Sequence, residues 1–513
     1  MGWGSGLEGR NRPPVDIDEI LINIRPGETR IALLGQARLC ELEIVRDTDQ
    51  SLVGNVYLGR VEKVPRGLAA AFVDIGLGRS GFLALAEARA ADLRSRPESN
   101  GAKTRDRVSD YLNEGDAVLV QVLRDPSDDK GAKLTTRITL SGRYLVYVPG
   151  LAEIKISRRI EDDDTGARLA AFIRGEAQES EGFILRTAAA AANDEDLSGE
   201  IGGLRAAWTA IGKNRNTSKP PVCLHKNLDP LLRILRDCGG RRIKLVTIDD
   251  MKVFAKIREY CQQSLPEMTA ALERHDGADG LFEAAGVEEQ IERALSPIVA
   301  LPSGGSIIIE ETAALTAIDV NTGRASGRGG HEETALATNL EAAAEAARQI
   351  RLRNLAGALI IDFVPMRYRG NGAAVLTELR RAVASDPCIP HVIGFTKLGL
   401  IEMTRRKQRR SLNKVLMNSC RACAGTGAVK SPVTVAIEAL RRVRREAAAK
   451  PATAWSLTAA PEVIKALGGP AMAALAETEA CLGRPLRLTS DGALPGEEFG
   501  IAPVDMEGNG EDG

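Results

Sequence analysis

The hydrophobic pattern of this chain changes character along its length, and that change constrains the fold more than any single motif. From about residue 18 to residue 187 the apolar residues come in short runs, among them ILINI, RIALL, ELEIV, AAAFVDIG, SGFLAL and AVLVQVL, broken by turns such as PGETR and GQAR. Runs of that length punctuated by Gly and Pro mark small antiparallel strands. Where they recur about ten residues apart, between residues 51 and 136, they predict a small closed barrel. The acidic stretch EDDD at 161–164 reads as a turn interrupting the strands RITLSGRYLVYVP and EGFILRT. Helical patterning begins near Asp196, mixed segments run to about Ser296, and strand and helix then alternate. GSIIIEETAALTAIDVN reads as two strands because β-branched residues cluster there. Leu336, Leu340, Ala343, Ala347 and Ile350 recur at alternating intervals of four and three, which predicts an amphipathic helix between His331 and Leu355. ALIIDFV has the near-continuous apolar run of a buried strand, followed by a helix (AAVLTELRRAVASD) and a short strand (HVIGFT). The expected fold class is a mixed α+β and α/β multidomain protein.

Composition narrows the function classes. At 513 residues the chain exceeds what one core normally serves. Its 44% hydrophobic and 27% charged residues fit a globular protein rather than a disordered or fibrous one. No apolar window approaches membrane length and no signal-peptide pattern opens the chain, so the expected compartment is the cytoplasm, with no membrane association. A formal net charge of −1 argues against binding polyanions by bulk charge, so a nucleic-acid site has to be a local patch. Eight scattered cysteines exclude a disulfide framework and fit a reducing compartment. Residues 1–16 are expected to be disordered, the insert 87–110 to be a charged loop, and the C-terminal end to be an acidic tail.

Asp319 closes one apolar strand (AIDVN) and Asp362 lies near the end of another (LIIDF), so both carboxylates are expected at one sheet edge, where α/β sheets place ligands. Held together they repel, and a divalent cation relieves the conflict. Mg²⁺ suits them: it takes hard oxygen ligands, stabilises charge on a phosphoryl oxygen and activates water. Asn321 shares the side-chain direction of Asp319 if the strand persists, and its amide could hold the scissile phosphate. Ordinary strand-end residues starting turns are the bland alternative.

Cys420, Cys423, Gly425 and Gly427 spell CxxCxGxG, a knuckle whose two thiolates grip a metal. A structural Zn²⁺ needs four ligands and no second CxxC exists, so Cys388 or His391 completes the site or a second copy of the chain does; the shared site is favoured. Phe72 and Phe82 could form stacking platforms on the barrel's outer face, with Arg124 and Lys130 nearby for phosphates. TRRKQRRSLNK at 404–414 carries six basic residues, either a phosphate-attracting patch or a solvated helix face. Arg186 with Thr187 at a strand end offers a bidentate phosphate fork. Of four histidines (His225, His275, His331, His391) none sits in a paired catalytic context, which disfavours a two-histidine route.

At these residues the sequence resembles the ribonuclease E/G family of bacterial endoribonucleases, on the side of its shorter ribonuclease G branch. The matching segments include VGNVYLGRVEKV, AAFVDIGLGRSGFL, LSGRYLVY, GFILRTA, LPSGGSIIIEETAALTAIDVNTGR, IIDFVPM, GLIEMTRR and CRACAGTG, in that order. The resemblance implies an RNase H-like subdomain (17–50 and 233–294) split by an OB-type RNA-binding barrel (51–136) and a 5′-sensor subdomain (137–232). It further implies a DNase I-like catalytic subdomain (295–416), a zinc link (417–429) and a small C-terminal domain (430–513). It assigns catalytic Mg²⁺ to Asp319 and Asp362, with Asn321 assisting, and one zinc shared between two protomers to Cys420 and Cys423. A sensor for a 5′-monophosphate falls on Arg186 and Thr187, with Gly142 and Val146 lining its pocket, and RNA contacts of the barrel fall on Phe72, Phe82 and Lys130.

The implied activity is Mg²⁺-dependent cleavage of single-stranded RNA, leaving 5′-monophosphate and 3′-hydroxyl ends, in ribosomal RNA maturation and messenger decay. A homodimer or tetramer without a long partner-recruiting tail is implied as well. One departure is notable: the family's IDFID is IDFVP here, with Pro365 in place of an acid. That change is the best support for a rival reading, a non-catalytic RNA-binding or assembly protein that keeps the barrel and zinc link.

Overall fold

The computed structural model describes residues 17–47, 51–65, 67–88, 108, 111–126, 130–157, 160, 162–239, 242–323, 330–449 and 454–504. The expected disordered start, most of the insert 87–110 and the acidic end lie outside these. Two compact units divide the chain, Met1–Val415 and Leu416–Gly513.

In the first unit the strands Glu19–Arg25, Glu28–Gly35 and Arg38–Arg46 form an antiparallel meander, and Leu245–Ile248 joins its free edge in parallel, followed by Leu272–Arg274. Two stretches far apart in sequence thus build one sheet. Ile20, Ile22, Ile31 and Leu33 pack there against Leu231, Leu235, Ile257 and Cys261. Between those stretches the predicted barrel is present. Val56–Lys63, Ala70–Asp74, Gly81–Ala84, Lys133–Thr135 and Ala117–Arg124 pair in sequence around a ring that closes on Val56–Lys63. Val61, Ala71, Val73, Leu83, Val120 and Leu134 fill it. Gly59 lets two strands of the ring approach closely, because a Cβ there would lie 2.5 Å from Val73 Cγ1.

A further sheet (Leu140–Ser141, Leu145–Pro149, Glu181–Leu185, Ile154–Ile156) is backed by the helices Asp163–Glu176 and Asp194–Thr217. Here the expected turn at EDDD is corrected. Asp162 caps a helix by accepting the Thr165 backbone N–H, and Asp163 and Asp164 in the first turn complement the helix dipole. Turns and helix caps draw on the same residues, and the apolar spacing of Leu169, Ala170 and Ile173 behind them was the signal that separates the two.

The α/β layer is six-stranded, in the order Ile298–Ala300, Ser306–Glu311, Leu315–Asn321, Gly357–Asp362, Ile401–Arg405, His391–Phe395. The first and fifth of these strands were not anticipated. Helices His331–Leu352 and Arg369–Val383 cover one face, where Ile307, Ile309, Ile318, Val320, Leu359 and Ile361 pack on Ala342, Ala346, Ile350, Val375 and Leu379. The run TRRKQRRSLNK proves partly architectural. Arg405 ends a strand and pairs with buried Asp386 (Nε–Oδ2 2.7 Å). Arg409 bridges Glu41 and Glu43 of the meander, and Arg351 also reaches Glu41, so ion pairs fasten the α/β layer to the first sheet.

The second unit is a three-stranded sheet, with Ala454–Ala459 between Arg487–Ser490 and Phe499–Val504, packed on Pro432–Ala449, Pro461–Leu467 and Met472–Leu482 through Trp455, Leu457, Leu440 and Leu467. The whole is a mixed α/β multidomain protein with a closed five-stranded barrel.

Candidate active site and RNA-binding surfaces

Leu315–Asn321 and Gly357–Asp362 run parallel and adjacent, with Asp319 and Asp362 as direct register partners. Alternation buries Ile318, Val320 and Ile361 under the helices and turns Asp319, Asn321 and Asp362 to the opposite face, where all three are exposed. Adjacent strands lie about 4.8 Å apart, so the two carboxylates stand side by side. Asn321 Nδ2 donates to Asp319 Oδ2 at 2.7 Å, orienting that carboxylate. Among the described residues neither aspartate is paired with a Lys, Arg or His. Two neighbouring hard-oxygen anions without a cationic partner are the donor set that suits a divalent cation. Among the described residues no group of three or more His, Cys, Asp or Glu forms a metal cluster, so the pair would hold its ion chiefly with water and substrate oxygens completing the shell.

The turn after Asp362 carries Pro365 and is held without an acid there. Asn339 of the covering helix exchanges hydrogen bonds with the Val364 backbone (2.9 and 3.0 Å). Glu332, near the start of that helix, accepts from the backbone N–H groups of Arg367 and Tyr368 and from Asn371 Nδ2. The first and largest of these contacts, from Arg367, holds the Glu332 carboxyl below its usual value.

On the barrel, Phe72 and Phe82 are cross-strand partners, half-buried, with ring centroids 6.1 Å apart in an edge-to-face arrangement. Their strand neighbours Ala71, Val73 and Leu83 point into the core, which leaves the rings on the outside. Register extends the pair into a row with the expected Arg124 and two residues that sequence reasoning missed, Lys63 and Lys133: Lys63 partners Phe72, Lys133 partners Phe82, and Arg124 partners Lys133. Two of those pairings follow β-bulges, so no count along the sequence reveals them. Lys130 is exposed on the segment leading into Lys133–Thr135, outside the row.

Arg186 follows the strand Glu181–Leu185 and donates to Gly142 O (2.8 Å) and to Asp237 Oδ1 (2.7 Å), so Arg186 and Gly142 do come together. Burial raises the Asp237 carboxyl, but the Arg236 and Arg186 guanidiniums overcome it and hold the group below its ordinary value. Thr187, next in sequence, has its hydroxyl 3.2 Å from Ser157 Oγ. Val146 lies on the neighbouring strand opposite Ile184 and Ser141.

In the second unit Cys420 is exposed and Cys423 half-buried. Ala424, Gly425 and Gly427 all take positive φ, wrapping the chain around Cys423. Backbone N–H groups of Gly427 and Gly425 pull the Cys423 thiol below its usual value, which favours the thiolate a metal requires. Cys388 is buried in the first unit, where burial pushes its thiol up.

The family model described as "Ribonuclease E/G family" matches residues 139–408. The chain belongs to the ribonuclease E/G family. It is 36% identical over 484 residues to the ribonuclease G of Salmonella typhimurium, covering 94% of this chain and 99% of that protein. The ribonuclease G of Escherichia coli strain K12 matches equally, 36% over 488 residues. Against the ribonuclease E of Escherichia coli strain K12 the identity is 37% over 422 residues, but only 40% of that protein is covered. In length and extent of match the chain therefore stands closer to ribonuclease G within the family. Among the described residues no helix is long and apolar enough to cross a membrane.

Proposed function

We propose that this chain, an endoribonuclease by its family, is a Mg²⁺-dependent enzyme that cuts single-stranded RNA at the Asp319–Asp362 edge and leaves 5′-monophosphate and 3′-hydroxyl ends. The observation that carries the proposal is the register pairing of two exposed aspartates on the face opposite the helices His331–Leu352 and Arg369–Val383, without a basic partner among the described residues. Asp319 and Asp362 hold the ion, and when bound it supplies Lewis acidity towards the phosphate and lowers the pKa of water. Asn321 keeps Asp319 oriented and is placed to donate its amide to a phosphate oxygen. Bases stack on Phe72 and Phe82, while Lys63, Lys133, Arg124 and Lys130 attract the phosphates. Arg186 and Thr187, with Gly142 and Val146, receive a 5′-terminal monophosphate, and the preferred substrates are 5′-monophosphorylated precursors of ribosomal RNA and messenger RNA. Cys420 and Cys423 form half of a zinc site completed by a second copy of the chain. The subdomains follow the family division: RNase H-like, OB-type barrel, sensor and DNase I-like.

The test is cleavage of an end-labelled oligoribonucleotide in Mg²⁺ and in EDTA, with the product termini identified. Cleavage in Mg²⁺ alone, giving ends that a ligase joins without kinase treatment, is the expected result. Activity in EDTA, or 2′,3′-cyclic phosphate ends, would exclude the proposed chemistry, and no activity in either would favour the RNA-binding alternative.

A further inference from the structure

The turn 141–145 is held from every side. Buried Arg236 donates from Nη1 to Ser141 O at 2.7 Å, and Arg186 donates to Gly142 O at 2.8 Å. From the helix Asp194–Thr217, Glu200 reaches in with a carboxylate that accepts three consecutive backbone N–H groups, those of Arg143, Tyr144 (2.9 Å) and Leu145 (2.7 Å). Successive amides converging on one anion form a nest. Glu200 fills it, and Gly142 makes the room: a Cβ at that position would lie 2.4 Å from Glu200 Cδ. Burial raises the Glu200 carboxyl, while the same three amides and Arg186 act in the opposite sense.

The consequence reaches Arg186. Its guanidinium is oriented by two acceptors, Gly142 O and Asp237 Oδ1, and the first belongs to the turn whose next three amides Glu200 holds. A long side chain left without such anchors samples many rotamers and binds a phosphate less well for it. We infer that Glu200 is a positioning residue of the 5′-phosphate sensor: its carboxylate holds the 142–145 turn so that Gly142 presents Arg186 to the terminal phosphate of an RNA. The inference rests on the sensor reading given above.

The experiment compares matched oligoribonucleotides, 5′-monophosphorylated and 5′-hydroxyl, with the wild-type chain, Glu200→Ala, Glu200→Gln and Arg186→Ala. Glu200→Ala is expected to lower the ratio of kcat/KM values by about ten- to a hundredfold, the range for lost charge-assisted hydrogen bonds, through KM for the phosphorylated substrate rather than through kcat. Glu200→Gln keeps one acceptor oxygen and is expected to give an intermediate ratio. A Glu200→Ala enzyme that loses kcat on both substrates in parallel, with its ratio intact, overturns the inference, because that is the pattern of general misfolding. If Arg186→Ala erases the ratio and Glu200→Ala preserves it, the inference falls and the sensor reading stands. If neither variant moves the ratio, the sensor reading falls and the inference with it.

Discussion

Replacing Phe82 by Ala removes one ring of the half-buried outer-face aromatic pair and leaves the barrel core, built from Val61, Val73, Leu83, Val120 and Leu134, untouched. Stacking of a base on an aromatic side chain is worth about 1–3 kcal/mol by alanine substitution, which corresponds to about 5- to 150-fold in Kd. The edge-to-face contact with Phe72, at 6.1 Å, contributes only about 0.5–1.5 kcal/mol to stability, so the variant should still fold. Lys133, register partner of Phe82, acts through charge instead, and its replacement by Ala should reduce the slope of log K against log salt by about 0.7, the value for one single-strand phosphate. The assay is fluorescence anisotropy of a 3′-labelled oligoribonucleotide in EDTA, titrated at several salt concentrations. Phe82→Ala should weaken binding with the slope unchanged, and Lys133→Ala should lower the slope. If Phe72→Ala and Phe82→Ala both bind within about twofold of wild type, the rings are not stacking platforms and the outer-face reading is refuted.

Three further outcomes are expected. Asp386→Ala strands Arg405, whose side chain is 3% exposed, and should cost about 3–5 kcal/mol in a denaturant titration; a loss near zero would show that water reaches the pair. Metal analysis of the purified chain should find about one zinc per two chains, and Cys423→Ser should release it and lower the oligomeric state by light scattering, whereas about one zinc per chain would contradict sharing. Hydrogen bonds from Arg205 hold the Glu181 carboxyl below its usual 4.5, so its contribution is complete above that pH and is lost as pH falls through the depressed folded value. The melting temperature of the wild type should accordingly drop more steeply below about pH 4.5 than that of Glu181→Gln, and parallel curves would remove Glu181 from the acid response.

The parts of the site that were legible in the sequence are those set by local pattern. Asp319 lies near the end and Asp362 at the end of an apolar strand whose alternation survives in the fold, so their convergence on one edge followed from strand reading alone. Phe72 and Phe82 were legible for the same reason. Lys63 was not, because a bulge resets the register that brings it beside Phe72, and Lys133 was not, because its pairing with Phe82 joins strands about fifty residues apart in sequence. Arg405 and Arg409 looked available to phosphates because their partners, Asp386, Glu41 and Glu43, are remote in sequence or carry no marker of burial. Glu200 gave no signal at all: nothing in a helical Glu announces that three amides of a distant turn will close on it.

The most direct measurement is single-turnover cleavage of a 5′-monophosphorylated oligoribonucleotide by Asp362→Asn as a function of Mg²⁺ concentration, with RNA affinity measured in parallel. Removing one of two paired carboxylates should cut the rate by about a hundredfold or more at every Mg²⁺ concentration reached, while RNA binding through the barrel persists. Cleavage at the wild-type rate with the same Mg²⁺ dependence would show that the two aspartates do not hold the catalytic ion.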